Sequence, residues 1–268
     1  MTGAVTPQTR FDAAFATRPA GAPPGLMPYF TAGFPTVDAL PDLLRAAEDS
    51  GCLAAEVGIP FSDPLADGPT IQRAGTHALR NGMTLRLAIE QTAEARARSV
   101  TLPLALMTYV NPVLAYGVEH FMRDAHEAGA DGLIVPDLPS EEARDVRAAA
   151  SDAGLALIPL VAPTTTTERR SVICASAAGF VYCVGVTGVT GARDRLDPAA
   201  LELLDAVREL TPLPRALGFG LRTHEHLERL RGHAEAAIVG SALIAALEES
   251  TDEPAGATRR FLRCMLDG

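Results

Sequence analysis

Leu53-Ala54-Ala55-Glu56-Val57-Gly58-Ile59-Pro60-Phe61-Ser62-Asp63-Pro64-Leu65-Ala66-Asp67-Gly68-Pro69 runs from an apolar strand, through a proline-punctuated loop, to the start of a helix. The apolar run 53–57 reads as a buried strand, yet it carries a glutamate near its end. A carboxylate there is costly unless paired or hydrogen-bonded, and burial of this kind tunes a carboxyl group to exchange protons near neutral pH. The same strand–loop–helix unit recurs along the chain. Apolar runs fall at 26–31, 53–57, 104–108, 132–135, 156–161, 180–184, 215–217 and 236–239. Amphipathic stretches separate them. Leu40, Leu43, Leu44 and Ala47 make one helix face within 38–50. The stretch 69–80 begins with Pro and stops at Asn81-Gly82. Ser140-Glu141-Glu142 predicts a helix with a hydroxyl cap and an acidic first turn, and Asp197-Pro198 predicts another.

Eight strands alternating with helices over about 250 residues is the repeat of a (β/α)8 barrel. A doubly wound open sheet uses the same alternation, but no Gly-x-Gly-x-x-Gly follows the first strand, which favours closure. The expected fold is α/β: one TIM barrel domain over 1–268, with extra loop helices. Residues 1–24 and 250–268 are peripheral, and a short helix over 10–17 covers the bottom of the barrel.

Composition narrows the function. The chain has 268 residues, 47% of them hydrophobic, and a formal net charge of −10. It lacks the clustered basic residues of a nucleic-acid footprint, and no window nears the about 18 uninterrupted apolar residues of a membrane span. Residues 1–22 lack the basic start and apolar core of a secretory signal. Cys52, Cys174, Cys183 and Cys264 have no C-x-x-C spacing and no accompanying histidine cluster. They read as reduced, mostly buried thiols of a cytoplasmic protein, with no zinc site. The six histidines lie on helical stretches without metal spacing and are expected at the surface.

Reactive groups of such a barrel lie at the C-terminal ends of strands and in the following loops. Alternation puts Ala54, Glu56 and Gly58 on one face, with Glu56 in the barrel mouth and Asp63 and Asp67 in the next loop. A structural ion pair with an arginine accounts for Glu56 equally well at this stage. Gly218-Phe219-Gly220 ends the seventh predicted strand, and Gly240-Ser241 ends the eighth and opens a helix. Two glycine loops there suit a phosphate held by backbone N–H groups, although Ser241 as a helix N-cap is the commoner role. Gly and Thr repeat through 186–194, which suggests a lid, with Gly191 near the anion and Arg193 a solvated charge. Tyr29, Phe30, Met107, Tyr109 and Tyr182 lie near strand ends, as pocket wall or as core.

Together these motifs resemble the α subunit of tryptophan synthase from about residue 26 to 247. The most specific is 56–69 with Ile71-Gln72-Arg73. The stretch 133–139, the stretch 186–191 and Gly218-Phe219-Gly220 add independent support. The resemblance implies a carbon–carbon lyase that splits 1-C-(indol-3-yl)glycerol 3-phosphate into indole and D-glyceraldehyde 3-phosphate, in L-tryptophan biosynthesis. It implies Glu56 as the proton-transfer carboxylate and Asp67 as the second catalytic carboxylate, accepting the indole N–H. Tyr182 orders the pocket, Thr190 orients Asp67, and Gly191, Gly220, Gly240 and Ser241 contact the phosphate. No metal or organic cofactor is implied for this chain. Pyridoxal phosphate belongs to a β partner in an α2β2 heterotetramer, docked on the side of 60–63 and Asn111-Pro112. Phe34 stands where many members have an acidic residue, Gly185 replaces a more usual Ser, and Leu221-Arg222 replace a smaller polar pair. A stand-alone indole-releasing lyase shares the motifs. A non-catalytic stimulatory subunit is a third reading, against which the intact pair Glu56 and Asp67 speaks.

Overall fold

A computed structural model describes residues 9–19, 21–185, 197–218, 220–250 and 252–268. The strands are β1 (Gly25–Thr31), β2 (Ala55–Gly58), β3 (Leu104–Met107), β4 (Gly132–Ile134), β5 (Ala156–Leu157), β6 (Leu160–Val161), β7 (Val181–Val184), β8 (Arg215–Gly218) and β9 (Ala236–Val239). All pair in parallel, in the order β5-β4-β3-β2-β1-β9-β8-β7-β6. The two ends of that order are one stretch of chain. β5 pairs with β4 and β6 with β7, and only Ile158-Pro159 lies between them. The Ile158 N–H bonds the Leu133 carbonyl at 2.9 Å, and the Tyr182 N–H bonds the Pro159 carbonyl at 3.0 Å. The sheet therefore closes, and the predicted fifth strand is a single stave split at Pro159, which has no N–H for the ladder.

Alternation along the strands sorts the core into two. Met27, Ala54, Ala105, Ile134, Ala156, Ala216, Ala236 and Ile238 fill the interior. Leu26, Phe30, Val57, Leu104 and Leu106 face the helices. Alanines on β3, β5, β8 and β9 leave the lower barrel in need of a filler. α1 (Arg10–Ala16) supplies it: Phe11 is fully buried and meets the edge of Phe180 at 5.4 Å. The expected bottom-covering helix is therefore a plug. At the same end Asp131, 3% exposed, pairs with Arg10 and Arg96, each at 3.0 Å. It also accepts the backbone N–H groups of Arg10 at 3.2 Å and Leu104 at 2.9 Å.

The helices that position the site follow their sequence signals closely. α2 (Leu40–Asp49) follows β1. α3 (Pro69–Arg80) and α4 (Leu85–Ala97) follow β2, and α5 (Val110–Tyr116) and α6 (Val118–Glu127) follow β3. α7 (Arg144–Asp152) departs from expectation, since 139–143 form turns before it begins. The Ser140 hydroxyl accepts from Arg147 at 3.3 Å and caps nothing. α8 (Thr167–Ala175) follows β6. α9 (Pro198–Arg208) follows β7 as predicted, with Asp197 accepting the Ala199 N–H at 3.0 Å. α10 (His224–Arg229), α11 (Ser241–Glu248) and α12 (Pro254–Asp267) complete the chain. His226 corrects the expectation of surface histidines: it is buried on α10, its Nδ1 accepting the Arg222 N–H at 3.3 Å. No helix among the described residues is long and apolar enough to cross a membrane.

Candidate active site

Glu56 lies mid-strand on β2, with Tyr29 of β1 and Ala105 of β3 as its cross-strand partners. Its side chain follows Ala54 up the interior face, which carries it to the mouth. It is 1% exposed, and among the described residues neither carboxylate oxygen has a hydrogen-bond partner. No arginine among the described residues pairs with it, so the ion-pair alternative falls. Burial, then the nearby Asp67 charge, push the Glu56 carboxyl up to about 8. It therefore holds its proton at neutral pH and still releases it within reach of physiological conditions.

Asp67 comes from the loop after β2. Its backbone is fixed by the Asp67 N–H to the Pro64 carbonyl at 3.1 Å and by Gln72 Nε2 to its own carbonyl at 2.9 Å. Burial raises its carboxyl to about 6, against a hydrogen bond from Tyr109 that lowers it. Two carboxyl groups in unequal surroundings are thereby set about two pH units apart, the arrangement that assigns an acid and a conjugate base to one site. Asp63 does not join them: it is exposed and takes the Ser62 hydroxyl at 2.5 Å.

Two tyrosines wall the mouth. Tyr29 and Tyr182 are buried, and burial holds both phenols well above their ordinary value. A Cβ added at Gly58 would collide with the Tyr29 phenol, and one at Gly218 with the Tyr182 phenol. Gly218 thus makes room for Tyr182, not for an anion, a correction to the reading of its loop. Gly220 and Gly240 remain available to the anion. Gly220 has φ +82° with open space around it, and Gly240 lies where an added Cβ would sit 3.4 Å from Tyr29 and 3.5 Å from Ile71. Gly240, not Ser241, is the N-cap of α11. Ser241 is its exposed first residue, and no side chain caps the helix start. That leaves N–H groups and the positive end of a helix facing the mouth. Thr190, Gly191, Arg193, the rest of 186–194 and Phe219 lie outside the described residues.

Sequence reasoning placed Tyr29 and Tyr109 as wall or core but missed their coupling to the carboxylates. Alternation from Met27 and Met107 was the available signal, since both tyrosines lie two residues further along. Among the described residues no cluster of His, Cys, Asp and Glu could hold a metal ion.

Fold and site define a class: a (β/α)8 barrel enzyme with two differently tuned carboxyl groups at the mouth of the barrel. The family model for the tryptophan synthase alpha chain matches residues 15–265. The chain belongs to the tryptophan synthase alpha chain family. It is 48% identical over 242 residues to the tryptophan synthase alpha chain of Roseiflexus castenholzii, covering 90% of this chain and 93% of that one. Against that of Carboxydothermus hydrogenoformans it is 45% identical over 240 residues, 90% of each chain. A structure described as the basis of mutual activation of the tryptophan synthase α2β2 complex from Pyrococcus furiosus superposes with TM-score 0.87. It is 38% identical, over 91% of this chain and 98% of that one.

Proposed function

We propose that this chain cleaves 1-C-(indol-3-yl)glycerol 3-phosphate to indole and D-glyceraldehyde 3-phosphate, as the α subunit of tryptophan synthase in L-tryptophan biosynthesis. The observation that carries the chemistry is a buried Glu56 carboxyl with no hydrogen-bond partner among the described residues, raised to about 8 at the mouth of the barrel. Protonated Glu56 delivers its proton to indole C3, which turns the ring into an iminium electron sink. The carboxylate so formed takes the proton of the adjacent side-chain hydroxyl as the C–C bond breaks. Asp67, ionised above about 6, accepts the indole N–H and stabilises the positive ring. One group thus serves as acid and then as base, and ends the cycle as it began.

Tyr29 and Tyr182 give the planar ring its walls. Gly191, Gly220, Gly240 and the N–H groups at Ser241 receive the phosphate, and Thr190 orients Asp67. This half-reaction needs no resident cofactor, and pyridoxal phosphate belongs to the β partner. The docking side carries exposed apolar residues on the two loops concerned: Leu65 is 90% exposed after β2, and Leu114 on α5 is more than half exposed. Such residues gain by being covered. The cytoplasm is the place of action.

The test is indole release from indole-3-glycerol phosphate by the purified chain, with and without a tryptophan synthase β subunit. Slow turnover that rises steeply with the partner is expected. Fast turnover indifferent to the partner would mean a stand-alone lyase, and binding without turnover would mean a stimulatory subunit.

A further inference from the structure

Tyr109 is the N-cap residue of α5, directly after β3, and its side chain is buried. Two contacts fix it: its hydroxyl oxygen accepts the Ala66 N–H at 3.1 Å, and its ring lies 5.5 Å from that of Phe61, tilted by 33°. Ala66 and Asp67 are consecutive, so the bond to Ala66 brings the hydroxyl up to the Asp67 carboxyl, which it lowers as a donor against the raising effect of burial. A phenol has a single hydrogen to donate. With the Ala66 N–H arriving at the oxygen, that hydrogen is free for the carboxylate. Among the described residues, the other hydrogen bonds of Asp67 are made by its backbone. Among the described residues, the titratable groups that face it are Glu56 from β2, Tyr29 from β1, Tyr182 from β7 and Tyr109 itself, and none is a cation.

We propose that Tyr109 is a positioning residue for Asp67, its hydroxyl fixing both the direction of that carboxylate and its ionised state. The proposal rests on the reading of Asp67 as the group that meets the indole N–H. A donor to the charged form favours that form. Without it the buried Asp67 takes up a proton more readily, and a neutral carboxyl no longer stabilises a positive ring.

The experiment is Tyr109→Phe in the full chain, which deletes one oxygen and keeps the ring against Phe61. Two readouts are followed from about pH 5 to 9: kcat and KM for indole release, and the Asp67 carboxyl by 13C NMR, assigned with Asp67→Asn. The Asp67 titration and the acid limb of kcat are expected to move up together by about one pH unit. Near pH 6 kcat then falls about fivefold, approaching tenfold near pH 5, and relative to the parent it largely recovers at about pH 8.5, with KM little changed. A uniform loss at every pH with an unmoved titration would overturn the proposal, since that is what a merely structural role produces. The NMR readout does not depend on turnover. If the unmodified chain releases no indole, the functional reading fails, while the Asp67 titration still decides for or against the role of Tyr109.

Discussion

The barrel buries one carboxylate at each end, and they are treated in opposite ways. Asp131, at the bottom, accepts from two guanidinium groups and two backbone N–H groups. Glu56, at the mouth, is as deeply buried and accepts from none among the described residues. A saturated buried carboxylate ties elements together: Asp131 joins α1, α4 and β3. A bare one contributes nothing to cohesion, and its charge is costly. It persists in a marginally stable fold because a proton kept at neutral pH and still transferable is useful. Satisfaction of hydrogen bonds, more than depth of burial, separates a structural acid from a reactive one here.

Exchanging the acids for their amides sharpens that contrast. Glu56→Gln should lower kcat by about 10²–10⁴, because the positioned proton is gone, while circular dichroism and phosphate binding stay unchanged. Its effect on stability should have an unusual sign. A carboxyl whose folded pKa is raised leaves the folded state at full stability below the unfolded value and weakens it as pH climbs from about 4.5 to about 8. Thermal melts should therefore show the Gln variant matching the parent at about pH 5 and exceeding it at about pH 9, by up to a few kcal/mol. Asp131→Asn should do the reverse. Urea unfolding should register a loss of about 3–5 kcal/mol as the largely buried Arg96 and the half-exposed Arg10 lose their counter-charge, with kcat/KM near the parent value. An Asp131→Asn enzyme that is stable but inactive would erase the contrast.

The mouth can also be probed without touching either acid. Gly218→Ala should drive the Tyr182 phenol off its seat and cost about 10²-fold in kcat/KM, the usual penalty for a displacement of about 1 Å near the reacting atoms. Gly240→Val should weaken binding of glyceraldehyde 3-phosphate about tenfold by filling the approach to the helix start. Gly240→Ala should cost little, because its Cβ meets neighbours only at ordinary contact distance. Equal affinity in the Val variant would remove the phosphate from this loop. The parent pH profile of kcat/KM should be a bell, rising through about 6 and falling through about 8. Because the two groups feel one another, those limbs belong to the pair.

Much of this was legible in the chain itself. The apolar runs located every stave, and period-2 alternation placed Glu56 inward, because a closed sheet leaves each strand one interior face. What stayed hidden depends on contacts between distant segments. Nothing local announces that Gly218 is the seat of Tyr182, or that Tyr109 meets Ala66, the neighbour of Asp67, across two loops. Ser140 and Arg147, seven positions apart, show why helix starts are hard to read: the serine that looked like a cap found a guanidinium instead. Asp131 passed unnoticed because its partners lie 27 to 121 positions away.

The most direct test of the central claim is the titration of Glu56 itself, followed by 13C NMR of side-chain-labelled glutamate and assigned by the resonance that vanishes in Glu56→Gln. The account predicts a carboxyl still protonated at neutral pH that titrates near 8. Ionisation near the ordinary glutamate value of about 4.3 would mean that the buried carboxyl carries charge at neutral pH, and its role as the initial proton donor would be contradicted.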